Sequence, residues 1–417
     1  MESTPQHYLV TPLAYTGAAI AFTYHAEAVL PIGQIVAIPL GRRRSLGVVT
    51  ATTNRPTFAT KPALPLDLPP LPTYLISLAE WLASYYAASP AAVWSALLPA
   101  GLAKTRRIIK TPASTQPAHG LPAHPLTDEQ AAVLSAIGAS EQSVHLIQGV
   151  TGSGKTRLYL ELAAEALATG HSVIVLVPEI TLTPQVVGQF EQAFGPLVLT
   201  THSKLTESQR DHIWRAAMSA TAAGEQRVIV GPRSSLFLPL HQLGLIIVDE
   251  SHENSYKQEQ HPRYHVIPTA AQLSRLTGAR VVLGSATPSL GELFLASEGK
   301  ISRHVLTKRV HDKPLPQATI IDLRDKSQLK TSKFIAQPLI DAVTATLEAG
   351  RQSVLYLNRR GSASSQVCAD CGHVTTCPHC QLPLTFHADL MRLVCHHCNY
   401  RQALPAVCPN CAGADLR

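Results

Sequence analysis

The stretch VHLIQGVTGSGKTRLYLELAAEALATG, Val144–Gly170, decides the fold. It opens with the apolar run Val144–Ile147, which suits a buried strand. It closes with a helical segment, Arg157–Ala168, stopped by Gly170. Between them GVTGSGKT, Gly149–Thr156, matches G-x-x-x-x-G-K-[ST] in the strand-to-helix context that this pattern requires. The glycines let successive backbone N–H groups curl around a phosphate, and the helix start adds partial positive charge. Gly149, Val150, Thr151, Gly152, Ser153, Gly154, Lys155 and Thr156 form the expected cradle. Lys155 is expected to reach the β- and γ-phosphates of a nucleotide, and Thr156 to hold Mg²⁺.

Outward from this point, apolar runs alternate with helical segments. Val173–Val177, Val228–Val230, Leu245–Val248 and Arg280–Leu283 suit buried parallel strands, and Ser208–Ala222 suits a helix. The pattern is that of a doubly wound α/β sheet. LIIVDESH, Leu245–His252, ends a strand in Asp249–Glu250, and ligands bind at strand C-termini in such sheets. Asp249 is expected to contact Mg²⁺, and Glu250 to polarise an attacking water. GSATP, Gly284–Pro288, follows the next strand, and Ser285 and Thr287 are candidates to bond Glu250 or a phosphate. A break near residues 311–317 precedes a second, shorter unit: strand Ala318–Asp322, helix Ala336–Leu347 and strand Ser353–Leu357.

Toward the N-terminus, Tyr8–Val10, Gly33–Pro39 and Leu46–Thr50 read as short strands of a small β domain. A Pro-rich connector, residues 61–72, leads to helical spacing over 73–98, with Leu75, Leu78, Leu82 and Tyr85 on one face. Residues 104–125 read as an exposed basic linker.

Composition bounds the function. At 417 residues the prior is roughly three domains, at ~150 residues each. With 45% hydrophobic and 15% charged residues, the chain is too apolar to be disordered. The formal charge of +7 is concentrated at the two ends, the middle being near neutral, which points weakly to a polyanionic partner. Met1–His7 lack the basic start of a secretory signal, and the longest uncharged stretch, Leu82–Ala103, is Ala-rich and interrupted by prolines. A membrane protein and a disulfide-knotted secreted protein are therefore excluded as classes.

The 8 cysteines form four C-x-x-C pairs: Cys368/Cys371, Cys377/Cys380, Cys395/Cys398 and Cys408/Cys411. Eight thiolates make two structural tetrahedral sites for two Zn²⁺ and imply a reducing compartment. Three pairings are possible. Sequential pairing closes the first site across only residues 372–376, which is tight. Nested pairing joins the second and third pairs across residues 381–394, a span near that of zinc ribbons, and is the expected arrangement. His379, His396 and His397 are spare in that scheme.

These segments in this order resemble motifs I, II and III of superfamily 2 helicases. Further segments narrow the resemblance: VPEITLTPQ (Val177–Gln185), THS (Thr201–Ser203), VGPRSSLFLP (Val230–Pro239), DESHENSYKQEQHPRYH (Asp249–His265), LGSATPSL (Leu283–Leu290) and YLNRRG (Tyr356–Gly361). Together they resemble the primosomal protein N′ (PriA) family of replication-restart helicases, over nearly the whole chain. Phe22–Arg43 is similar to that family's 3′-end-binding β domain, and Trp81–Pro99 to the helical segment after it.

The resemblance implies an α/β fold with a RecA-like P-loop lobe. A partial second lobe follows it, carrying an insertion that holds two zinc ions on four cysteines each, and a small β-rich DNA-binding domain precedes it. The implied boundaries are 1–103, 104–125, 126–310 and 311–417, with the zinc module at 368–411. The implied activity is ATP-dependent 3′→5′ DNA unwinding at stalled forks and loading of primosome proteins, by a cytoplasmic, nucleoid-associated protein. The cofactors are ATP, Mg²⁺ and zinc. The partners are forked and single-stranded DNA, other primosome proteins and single-strand-binding protein, with no membrane.

By residue, Gln130 in LTDEQ would recognise adenine, and Tyr256 and Tyr264 would stack on DNA bases. Lys257 and Arg263 would meet phosphates. Arg233, Arg359 and Arg360, with Asn358 beside them, would face DNA or nucleotide. Nested zinc pairing is also what the family implies.

Five departures stand out. Thr23 occupies the position of the family's FDY carboxylate, and Pro232 that of a usual Thr. The chain has DESH where the family has DEEH, so Ser251 replaces a carboxylate. Residues 101–125 leave no room for the family's winged-helix domain. No Q-x-x-G-R-x-G-R occurs, so the sequence reads as C-terminally truncated, able to bind nucleotide but turning over poorly.

Overall fold

The computed structural model describes residues 5–14, 21–102, 118–178, 184–310, 317–332, 335–356, 365–387 and 390–416. It divides into two compact units, Met1–Lys313 and Pro314–Arg417.

The first unit begins with a mostly antiparallel sheet. Strands β1 (Gln6–Pro12), β2 (Phe22–Ala26), β3 (Ile35–Leu40) and β4 (Arg43–Thr53) are joined by the two-residue β5 (Lys61–Pro62) and β6 (Leu64–Pro65). Among the described residues the order is β5-β2-β1-β4-β3-β6. Alternate residues Tyr8, Val10, Tyr24, Val36, Ile38 and Val49 fill its core. Gly33 is needed there: its φ is +90°, and a Cβ would meet the Leu71 carbonyl at 2.5 Å.

The helical spacing over 73–98 resolves into two helices, α1 (Thr73–Tyr85) and α2 (Pro90–Leu97). Pro90 has no N–H to give to a continuous helix, so the chain restarts there, and the Ser89 hydroxyl caps α2 by accepting from Ala92 N. Leu75, Leu78 and Leu82 are buried as expected, but Tyr85 is not part of that face. It is 61% exposed and stacks on Trp81 with centroids 4.6 Å apart. The helices share one continuous core with the following α/β layer. The Tyr74 hydroxyl donates to Leu240 O (3.2 Å) and accepts from Leu240 N (2.8 Å).

The α/β layer runs α3 (Asp128–Ala139), β7 (Val144–Gly149), α4 (Lys155–Ala168), β8 (Ser172–Leu176), α5 (Pro184–Phe194) and β9 (Val198–Thr200). It continues α6 (Glu207–Ala222), β10 (Val228–Gly231), β11 (Leu243–Val248), α7 (Val266–Thr277), β12 (Arg280–Ser285), α8 (Leu290–Ser297) and β13 (Ser302–Leu306). The sheet order is β13-β7-β12-β11-β8-β10-β9, with every described ladder parallel. Both faces are buried, which explains the unbroken apolar runs. In β8, Val173 and Val175 face one core while Ile174 and Leu176 face the other. The β7, β11 and β12 C-termini therefore lie side by side, and they carry the GVTGSGKT, DESH and GSATP segments.

The second unit holds α9 (Gln337–Glu348) and a small antiparallel sheet of β14 (Thr385–His387), β15 (Arg392–Val394) and β16 (Arg401–Ala403). The strands expected at Ala318–Asp322 and Ser353–Leu357 do not form over the described residues 318–322 and 353–356. A parallel strand needs a ladder neighbour for its N–H and C=O groups and a packed face. Here α9 buries none of its residues, and Val354 is 93% exposed. Leu357, Asn358, Arg359, Arg360, residues 179–183 and most of the basic linker lie outside the described residues.

Candidate nucleotide and zinc sites

The nucleotide site starts from backbone shape. Gly152 (φ +85°) and Gly154 (φ +84°) turn the chain out of β7 so that α4 begins at Lys155. A Cβ on Gly154 would lie 2.2 Å from Gln130 Nε2, so the loop and that side chain are fitted to each other. Gln130 Nε2 donates to Ser153 O (3.2 Å), while its Oε1 accepts from Thr127 N (3.0 Å) in the capping box of α3. The residue expected to read adenine thus holds the phosphate loop to the start of α3.

Ser153 Oγ is buried with no hydrogen-bond partner among the described residues, a polar atom left over inside the loop. Lys155 folds back over the loop, donating to Gly149 O (3.0 Å), with its Nζ 3.8 Å from Glu250 Oε1. Ser153, Lys155 and Glu250, with Asp249, Thr156 and Val310, line an open cleft of about 520 Å³. A lysine held among the described residues by a backbone carbonyl and a distant carboxylate, a hydroxyl with no partner among them and a left-handed glycine loop at a helix start fit a polyphosphate.

Asp249 is buried. Burial and the neighbouring Glu250 charge push its pKa up, and an accepted bond from the Tyr159 hydroxyl (3.0 Å) opposes them. Burial first, then Asp249, pushes the Tyr159 pKa well above normal, so it stays a donor. Tyr159 lies one turn after Lys155 on α4, which is the only trace it leaves in the sequence. Glu250 sits at φ +47°, a left-handed conformation uncommon for a side-chain-bearing residue.

Ser285 does not reach Glu250. Its buried Oγ accepts from Thr287 N (3.0 Å) and pairs with His252 Nδ1 (2.8 Å), and His252 in turn lies 3.6 Å from Glu250. A turn closed by its own serine satisfies that hydroxyl locally.

The loop after DESH corrects two expectations. Tyr256 (1% exposed) and Tyr264 (3%) are both buried and offer no ring face to DNA bases. The Tyr256 hydroxyl donates to Leu176 O (3.1 Å) and Asp249 O (2.5 Å), and Tyr264 packs edge-on against Phe237. An aromatic ring beside a parallel sheet gains more by burial with its O–H satisfied than by exposure. Arg233 is likewise committed within the protein, donating to Gln258 Oε1 (2.9 Å) and Ser255 O (2.5 Å). The Lys257 ammonium donates to Arg263 O and lies 5.3 Å from the Tyr86 ring centroid. Arg263 is exposed.

The cysteines repeat one turn four times. Cys368, Cys377, Cys395 and Cys408 each accept at their carbonyl from the N–H four residues on, and donate N–H to the carbonyl five residues on. The donors of the first set are Gly372, Gln381, Asn399 and Ala412, all at φ between +57° and +75°. Each turn points two sulfurs the same way. They converge as Cys368, Cys371, Cys408 and Cys411, and as Cys377, Cys380, Cys395 and Cys398, with sulfurs within 4.8 Å of one another. Cys368–Cys411, Cys371–Cys408 and Cys377–Cys398 sulfurs are 3.6 Å apart. Zn–S bonds of about 2.3 Å in a tetrahedron place sulfurs roughly 3.8 Å apart, so both sets fit Zn²⁺. The Asn410 amide reaches Cys371 Sγ at 3.6 Å and, with the His373 N–H, holds its pKa down to about 6. His397 Nδ1 lies 3.2 Å from Cys380 Sγ, and His396 faces His387.

Three family models match the chain. The DEAD/DEAH box helicase model covers residues 127–293. The 3′ DNA-binding domain (3′BD) model of PriA covers 12–99, and the PriA DNA helicase Cys-rich region (CRR) model covers 377–402. They define a helicase-class α/β lobe with a 3′ DNA-binding module before it and a zinc ribbon after it. Among curated proteins, the replication restart protein PriA of Bacillus subtilis is 41% identical over 297 residues, 70% of this chain and 36% of the relative. That of Rickettsia felis is 34% identical over 387 residues, 92% of this chain and 58% of the relative. The chain belongs to the PriA replication-restart helicase family. It spans about a third to three fifths of the length of these relatives. Among the described residues no helix is long and apolar enough to cross a membrane.

Proposed function

We propose that this chain is the ATP-binding portion of a replication-restart helicase that unwinds DNA 3′→5′ and recruits primosome proteins at stalled forks. The observation that carries this reading is the convergence of Lys155, Asp249 and Glu250 on one cleft beneath the glycine loop. In it, Lys155 leaves Gly149 O and binds the terminal phosphates, and the loop N–H groups hold the rest of the polyphosphate. Thr156 and Asp249 would hold Mg²⁺, which when bound neutralises phosphate charge. Glu250 orients the attacking water and takes its proton. Gln130, which donates to Ser153 O, is read as the adenine contact.

We read residues 1–103 as the DNA-end-binding domain, 104–125 as linker, 126–310 as the first helicase lobe and 311–417 as part of the second, with zinc-binding at 368–411. With Tyr256 and Tyr264 buried, exposed Arg263 is the DNA-facing group that this loop retains, and Lys257 holds it. Single-stranded and forked DNA, other primosome proteins and single-strand-binding protein are the proposed partners, in the cytoplasm at the nucleoid.

ATP hydrolysis by the purified chain, with and without forked DNA, tests this. DNA-stimulated turnover that is lost in Lys155→Ala supports it. ATP binding with no stimulated turnover favours the second reading, a DNA- and primosome-binding scaffold. No ATP binding at all overturns both.

A further inference from the structure

The motif II turn has lost one carboxylate, since Ser251 stands where the family has Glu. A carboxylate from another element nevertheless reaches Ser251. Ser251, 3% exposed, donates its hydroxyl to Glu292 Oε1 at 2.5 Å. Glu292 comes from the first turn of α8 and is itself only 3% exposed. Its other oxygen accepts from Ser289 N (2.7 Å) and Ser289 Oγ (2.8 Å). All of these partners are neutral hydroxyls or backbone. A carboxylate buried among neutral donors is costly to keep unless each bond is made.

Capping α8 accounts for one oxygen of Glu292. The other is spent on Ser251, 41 residues away in sequence. Ser251 directly follows Glu250, whose φ of +47° is strained and persists only when its surroundings over-determine it. Two bonds do this next door: Ser251 N donates to Gly284 O (2.9 Å), and Ser251 Oγ donates to Glu292. The first ties the turn to β12 and the second ties it to α8.

Resting on the nucleotide reading above, we propose that Glu292 is a positioning residue. It supplies from α8 the carboxylate that motif II lacks, and through Ser251 it holds Glu250 and Asp249 at the phosphate cleft. Glu292 does not touch nucleotide. It keeps the two acidic groups of the turn in the geometry from which they serve Mg²⁺ and water. It also links this turn to the start of α8, just after the GSATP turn whose Ser285 holds His252.

The test uses the whole chain and a fluorescent ATP analogue, titrated with Mg²⁺ and again with EDTA. The gain in affinity that Mg²⁺ brings reads the placement of Asp249 and Glu250. Removing one hydrogen bond to a buried charged group in Ser251→Ala should cut that gain about tenfold, with the EDTA affinity and the circular dichroism spectrum unchanged. Ser251→Glu and Glu292→Ser should each cut it as well. The swapped double variant, with the carboxylate at 251 and the hydroxyl at 292, should recover it. An unchanged gain in Ser251→Ala overturns the proposal and leaves Glu292 as the cap of α8 alone. A double variant that shows the multiplied losses of its two single changes also overturns it. A wild-type chain that binds no analogue overturns the nucleotide reading, and the positioning role with it.

Discussion

Gly284 has no side chain where the Tyr159 hydroxyl passes: a Cβ built on it would lie 1.6 Å from that oxygen. The glycine of GSATP therefore makes room for the bond from Tyr159 to Asp249. Tyr159→Phe should lower the Mg²⁺-dependent affinity for ATP several-fold and reduce thermal stability modestly, because a hydrogen bond to a charged group contributes about 1.5–3 kcal/mol. Gly284→Ala should do at least as much damage, since backbone and tyrosine compete for one place. Nucleotide titration and differential scanning fluorimetry read both. If Gly284→Ala binds Mg·ATP as well as wild type, the packing argument is wrong.

The zinc sets predict a stoichiometry. A folded sample should contain two zinc ions per chain by atomic emission. Cys377→Ser should drop this to one and loosen β14–β16, because Cys377 and Cys395 pack with Leu384 and Leu393 in the same small core. Cys408→Ser should also remove one zinc while leaving that core intact. Loss of both ions from either variant would show that the two sites are not separate.

Acid sensitivity should come from β7. His145 is fully buried, its Nδ1 lies 3.2 Å from His304 Nε2, and its Nε2 has no hydrogen-bond partner among the described residues. Burial, then the charges of His304 and Arg280, depresses its pKa to about 4. The unfolded chain takes up that proton near pH ~6.5, so folded stability is undiminished above about 6.5 and falls as pH drops from there toward 4. Urea midpoints measured across this window should decline, and His145→Asn should flatten the decline. An equal decline in that variant would place the acid sensitivity elsewhere.

Arg233 joins the turn after β10 to the loop that follows DESH. Arg233→Lys keeps the charge but cannot span Gln258 and Ser255 together. The loop at 255–263 should then be cut faster by protease. DNA affinity, if it rests on charge alone, should stay within about threefold, since the substitution keeps that charge. A protease pattern identical to wild type would return Arg233 to the DNA-facing role.

Much of the site is legible in the sequence because its information is local. The glycine loop needs left-handed residues at Gly152 and Gly154, and both are written in the pattern. Four evenly built C-x-x-C turns announce two metal sites, and the 381–394 span favours the nested grouping that the sulfurs adopt. Buried parallel strands are plain as unbroken apolar runs. Tyr159, Glu292 and the burial of Tyr256 and Tyr264 were not legible, because each depends on what another element places beside it.

The sequence by itself determined five of the seven described strands of the parallel sheet, the phosphate loop, the paired carboxylates after β11 and the cysteine pairs. Each follows from residue type at fixed short spacing, which backbone sterics and side-chain chemistry turn directly into local shape. Only the tertiary structure decided that Tyr85 faces outward, that no strand forms at 318–322, and that Tyr256 spends its hydroxyl on Asp249 O. It alone brought a carboxylate from α8 to Ser251. Those outcomes turn on burial and on hydrogen bonds between residues far apart in the chain, and such contacts exist only once the sheet has brought the strand ends together.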